Sequence, residues 1–188
     1  MKRRKAIGGI LAITGIGIAS YTGINFFYQK LNKGQLQNYL NLISALVDII
    51  IPPTETAGAQ EAKVQNYIID FMESCASKKE YNNFLNGLND LQETCLNKYN
   101  NNFEDCSINQ KTEVLENLDR NSDANSLLAK INNKIRGRSF FSMLKSLTVE
   151  GYCTSELGAT KLLAYVPVPA NYNAIITIEP NQKAWATS

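Results

Sequence analysis

Leu36-Gln37-Asn38-Tyr39-Leu40-Asn41-Leu42-Ile43-Ser44-Ala45-Leu46-Val47-Asp48-Ile49-Ile50-Ile51-Pro52-Pro53 decides the fold class. Leu36, Tyr39, Leu40, Ile43, Leu46, Val47 and Ile50 recur at the three- and four-residue spacing of one helix face, which predicts an amphipathic helix. Pro52-Pro53 ends it, because proline lacks the amide donor and its ring clashes with the preceding turn. Thr54 to Ala59 then reads as a loop.

The same period recurs downstream. Val64, Tyr67, Ile68, Phe71, Met72 and Cys75 make a second stripe, and Tyr81, Phe84, Leu85, Leu88, Cys95 and Tyr99 a longer third, with Leu91 beside it. Asn100-Asn101-Asn102 predicts a turn or loop. Ser107 followed by Gln110 fits a capping box, in which two side chains satisfy free backbone donors at a helix start. Val114, Leu115 and Leu118 predict the fourth helix, Ala124, Leu127, Leu128, Ile131 and Ile135 a fifth, and Phe140, Phe141, Leu144, Leu147 and Thr148 a sixth. Gly151 is expected just past that sixth helix, where a C-terminal cap favours positive φ. Thr154 or Ser155 is expected to cap a short last helix through Leu157, Leu162 and Leu163. Val166-Pro167-Val168-Pro169 must be extended, since each proline biases its predecessor away from helix, and Ile175 to Ile178 reads as a short strand without a partner. The expectation is all-α: a single helical domain of six to seven helices over residues 36–188, with an extended C-terminal arm, after an N-terminal signal or anchor helix at 1–29 and a linker at 30–35.

The first 29 residues differ in kind. Lys2, Arg3, Arg4 and Lys5 form a cationic head, and from Ala6 to Gln29 there is no charge. This is the pattern of an export signal, and Arg3-Arg4 before a mildly apolar run suits the twin-arginine route. Two fates are open. Cleavage near Ala19-Ser20 would release the body, whereas retention of residues 6–29 would leave an anchor, since roughly 20 apolar residues span a bilayer. Both place the body in the periplasm or another extracytoplasmic compartment, with or without attachment to the inner membrane.

The net charge of +2 belongs to this head: four of the 19 basic residues lie in it, leaving the body with fewer bases than its 17 acids. Nucleic-acid binding is therefore excluded as a function class. There is no histidine, which removes the commonest general base, metal ligand and haem ligand. Gly15-Ile16-Gly17 lacks the strand and the third glycine of a dinucleotide fingerprint. Ser139 and Ser155 have no histidine to activate them. The acids Glu55, Glu61, Asp70 and Glu73 read as a solvated face, and no catalytic, cofactor-binding or metal-ligating residue is assigned to this chain.

The four cysteines, Cys75, Cys95, Cys106 and Cys153, contain no C-x-x-C pair. An exported chain favours disulfides. Cys95 and Cys106 flank the Asn-rich loop and can reach each other, making them the candidate disulfide. Cys75 lies too far along an antiparallel pair of helices to reach Cys95. Its place on the apolar stripe reads as a buried thiol. Cys75 and Cys153 are otherwise open to pairing together, to staying reduced or to bonding a partner chain.

Three separated stretches resemble the gluconate 2-dehydrogenase subunit 3 family. Leu46-Val47-Asp48-Ile49-Ile50-Ile51-Pro52-Pro53-Thr54-Glu55-Thr56 with Gly58-Ala59 is similar to its opening signature, and Gly151-Tyr152-Cys153-Thr154-Ser155-Glu156-Leu157-Gly158-Ala159-Thr160 to its second. Tyr165-Val166-Pro167-Val168-Pro169, Tyr172 and Lys183-Ala184-Trp185-Ala186 are similar to its tail. Ala170 stands where a glycine commonly follows the proline, Ala174 where a small Gly/Cys pair is often seen, and Cys153 replaces a usual aromatic.

The resemblance implies a non-catalytic small subunit of a membrane-associated, FAD-dependent sugar or polyol dehydrogenase. FAD would sit in the large subunit, and haem c in a cytochrome c subunit where one is present. The small subunit would assist maturation of the large one and export it through the twin-arginine translocase, with Arg3 and Arg4 as the export signal. The alternative is a stand-alone extracytoplasmic binding or scaffold protein of the same fold. The expected partner surface comprises Tyr152, Cys153, Ser155, Glu156, Tyr165, Pro167, Pro169, Tyr172 and Trp185, because aromatic and proline-restricted segments lose little entropy on docking. Equally, Tyr152, Tyr165 and Trp185 could tie the arm to the core.

Overall fold

The computed structural model describes residues 34–122, 137–168, 175 and 177–186. Among them the regular structure is helical, as the apolar periodicity predicts. The predicted fifth helix, Ala124 to Ile135, and the leader with Arg3 and Arg4 lie outside the described residues.

A 3-10 turn, Gln35–Tyr39, leads into helix α1, Leu40–Ile50. A 3-10 turn advances about 120° per residue against about 100° in an α-helix, so it rotates the register. Leu36, Leu42, Ile43, Leu46 and Val47 consequently reach the core, and Leu40 is only partly buried. Ile51, forced out of helical geometry before Pro52, ends α1 at φ −132° and ψ 84°. The loop folds back on that end: Ala59 N–H donates to Ile51 O at 2.9 Å, and Ala59 is buried.

Helix α2, Val64–Ser74, buries Val64, Ile68, Ile69 and Met72. Cys75 departs from expectation. The helix stops one residue before it, so Cys75 is exposed instead of continuing the buried stripe. Helix α3, Lys78–Tyr99, starts with a capping box in which Ser77 and Glu80 satisfy each other's backbone donors. Asn100, at φ 54°, closes it. Glu73 gathers this end of the domain, accepting from Gly34 N–H at 2.9 Å and from the Tyr81 hydroxyl at 3.1 Å.

Beyond the Asn-rich turn the chain re-enters the core. Phe103 opens a 3-10 turn, Phe103–Asp105, and is fully buried. Helix α4, Ile108–Ser122, begins with the predicted Ser107–Gln110 reciprocal pair, at 2.9 and 3.4 Å. It buries Val114 and Leu115.

Helix α5, Phe140–Thr154, is the hub and packs against α1, α2, α3 and α4. Eight of its residues are buried, including Phe140, Leu144, Leu147 and Tyr152. Phe140 meets Phe84 of α3 edge-on at 5.2 Å. The hydroxyl of buried Thr148 is satisfied by Leu144 O at 2.7 Å. Gly151 is inside α5, not in a cap beyond it. A Cβ there would lie 2.6 Å from the Tyr67 ring, so the glycine admits α2 against α5. Ahead of α5, Arg138 pairs with Glu80 at 2.9 Å and its carbonyl accepts from Asn83, tying the helix entrance to α3.

Candidate functional site: the C-terminal corner and arm

The corner is built where α5 ends. Tyr152 is 2% exposed, and its hydroxyl donates to the carbonyl of Ala57, 95 residues away in sequence, at 2.5 Å. This bond joins the second signature to the Pro-rich loop of the first. Ser155 turns the chain: its hydroxyl donates to Tyr152 O at 2.7 Å and accepts from Gly158 N–H at 3.0 Å. Ser155 thus bonds the first amide of a π-helical turn, Gly158–Leu162, whose own N-cap position is Leu157. A Cβ on Gly158 would lie 1.9 Å from Tyr152 O, so only glycine permits the turn to sit against the end of α5. Beneath the corner, burial and then the hydrogen bond to Glu150 push the Tyr67 hydroxyl above its ordinary pKa.

The arm leaves this corner extended from Leu163, at φ −91° and ψ 168°. Among the described residues its return is held by one parallel bridge, Ala164 to Trp185. Ala164 N–H donates to Ala184 O at 2.8 Å and Ala186 N–H to Ala164 O at 3.0 Å. Lys183 Nζ adds a bond to Lys161 O at 2.6 Å. The bridge fixes the backbone but covers little. Trp185 is 54% exposed and Val168 is 78% exposed, and Leu162, Tyr165, Val166 and Ile178 are exposed with them. No strand forms over the described residues between Ile175 and Ile178.

The expected partner residues therefore separate into two groups. Tyr165, Pro167, Trp185 and Glu156 are exposed, while Cys153 is half-buried and its thiol free. Tyr152 and Ser155 face inward and hold the corner, the tying role that sequence left as the alternative for Tyr152. Pro169 and Tyr172 lie outside the described residues. Sequence reasoning passed over Gly158 and the Ala57 carbonyl. The glycine stood inside a quoted signature, but the need for it depends on a contact with Tyr152 that no spacing reveals.

The candidate disulfide residues Cys95 and Cys106 are both buried and lie against each other as free thiols. Among the described residues no group of three or more Cys, Asp or Glu side chains is placed to hold a metal ion. No helix among them is long and apolar enough to cross a membrane. Away from the corner, a cleft of about 380 Å³ opens between α3, α4 and α5, lined by Leu91, Thr94, Val114, Leu118 and Phe140.

The profile of the gluconate 2-dehydrogenase subunit 3 family matches residues 37–170. The chain belongs to this family. The match takes in α1 and its terminating prolines, the whole helical body, and the corner with the start of the arm. No curated protein and no solved structure matches the chain. As a subunit 3 family member, it belongs with the subunits of a dehydrogenase.

Proposed function

We propose that this chain is the non-catalytic accessory subunit of an FAD-dependent sugar or polyol dehydrogenase. It binds the folded flavoprotein in the cytoplasm, lends it the Arg3-Arg4 leader for twin-arginine export, and stays docked to it outside. FAD and the oxidation belong to the partner, and haem c to a cytochrome subunit that takes the electrons. This chain's own residues supply a surface and an address.

The observation that carries the docking half of this reading is the apolar face of the arm. Tyr165, Val166, Val168 and Trp185 stand exposed, yet their backbone springs from a corner fixed by part-buried hydrogen bonds. Apolar side chains on a pre-ordered backbone forfeit little freedom when a partner covers them, so more of the contact energy appears as affinity. Aromatic anchors such as Tyr165 and Trp185 are the residue types that dominate such contacts.

The export half is tested through the leader. Changing Arg3 and Arg4 to lysine is expected to strand a flavin dehydrogenase in the cytoplasm, read by its activity in fractionated cells. Normal export of that dehydrogenase with the altered leader would overturn the escort role. The mass of the exported chain distinguishes a cleaved leader from a retained anchor.

A further inference from the structure

We propose that Cys95 and Cys106 form a built modification site, a dithiol that closes to an intrachain disulfide in the folded protein by exchange with an external small-molecule or protein disulfide. The proposal is independent of the docking and export roles.

Cys95 is 0% exposed in the last turns of α3, and Cys106 is 6% exposed at the end of the Phe103–Asp105 turn. The loop between them is clamped. Gln92, one helical turn before Cys95, accepts from Phe103 N–H at 2.8 Å and donates to the Glu104 carboxylate at 2.8 Å. Lys111 of α4 donates to Glu104 O at 2.9 Å, and Cys106 N–H donates to Phe103 O at 3.2 Å. Gln92 thus receives residues 103 and 104, while Cys95, three positions further along the same face, receives Cys106. Full burial of Phe103 locks that register. Cys106 is close enough to raise the pKa of the Cys95 thiol. Pre-ordering of this kind makes ring closure unimolecular, and little chain entropy remains to be lost.

The order of steps follows from the surroundings. Burial, then the neighbouring Cys106 and Glu104, push the Cys95 thiol up to about 11, so it is a poor first nucleophile. Cys106, on the loop and slightly more open, attacks first. Its thiolate displaces one thiolate from the external disulfide and forms a mixed disulfide. Cys95 then releases its proton to solvent and attacks Sγ of Cys106, forming the intrachain S–S bond and expelling the second thiolate. Two electrons pass from the protein dithiol to the external disulfide, which leaves as two thiols.

The test uses the full chain, both wild type and with Cys75→Ser and Cys153→Ser. Each is incubated with oxidised glutathione under native conditions, acid-quenched, alkylated in denaturant and peptide-mapped. We expect Cys95 linked to Cys106, no glutathione retained at either, and a Tm raised by roughly 5–10 °C that falls again on reduction. Two free thiols at Cys95 and Cys106 after incubation, glutathione persisting on Cys106, or pairing of either with Cys75 or Cys153 would overturn the proposal. The wild-type map keeps the test decisive if the double variant does not fold.

Discussion

At the corner, buried Tyr152 donates a hydrogen bond across the domain, Ser155 satisfies both a carbonyl and an amide, and Gly158 leaves no room for a methyl group. A few residues further on, the described part of the arm has one backbone bridge, and Ile175 is 92% exposed. Both stretches are rich in the residues that make the family recognisable, yet the physical pressures on them are opposite. Corner residues are fixed by contacts within the chain, so changing them should destabilise it. The described arm residues have few such contacts, so changing them should leave the fold intact and reveal whatever they touch outside it.

The largest effect expected from this contrast is at Gly158. Gly158→Ala forces a methyl group onto a backbone carbonyl that cannot move without breaking the end of α5. Chemical denaturation should register a loss on the order of 3 kcal/mol, the range of severe overpacking. A change below about 0.5 kcal/mol would mean that the corner yields and is not the rigid base described.

Next comes Tyr152→Phe, which keeps the ring and removes only the bond to Ala57 O. It leaves a part-buried carbonyl without its donor, and a loss of about 1 kcal/mol is expected in the same measurement.

A smaller effect, separable by pH, comes from the opposite end of the domain. Burial works to raise the Glu80 pKa, but hydrogen bonds from Ser77 and Arg138 outweigh it and hold the carboxyl below 4.5. A carboxylate with a depressed folded-state pKa stabilises the fold above its unfolded value and loses that contribution as pH falls through the folded one. Glu80→Gln should therefore cost stability at neutral pH and progressively less below about pH 4.5, where the wild type loses the same contribution. Parallel stability curves across that range would show that Glu80 carries no such linkage.

Much of this architecture was legible in the sequence, for identifiable reasons. Long apolar stripes specify helices because a 3.6-residue period has few other interpretations, and the Ser107–Gln110 box was readable because its bonds are local. Ser77 and Glu80 carry the same local signal, just ahead of the stripe that begins at Tyr81. What escaped was tertiary. Gly151 follows an apolar stripe as a helix-ending glycine would, but Tyr67 from another helix claims the space beside it. Cys75 keeps the stripe's period, but the helix ends at Ser74. Phe103 lies in a polar run whose burial depends on Gln92 reaching across from α3.

The site divides along the same line. Sequence left Tyr165 and Trp185 open between facing a partner and tying the arm to the core, and both are exposed, whereas the inward direction of Tyr152 depends on a partner 95 residues distant.

The role proposed for the arm's exposed face is to hold a flavoprotein partner. The most direct test purifies the tagged chain from its native cells, as wild type and as Trp185→Ala with Tyr165→Ala. Thermal melts of each purified chain are run alongside. The account predicts that the wild type brings down a yellow, FAD-containing polypeptide. The double variant should melt within about 2 °C of it, as surface substitutions do, and lose that polypeptide. A solitary, colourless wild-type chain, or a variant that retains the flavoprotein undiminished, would contradict it.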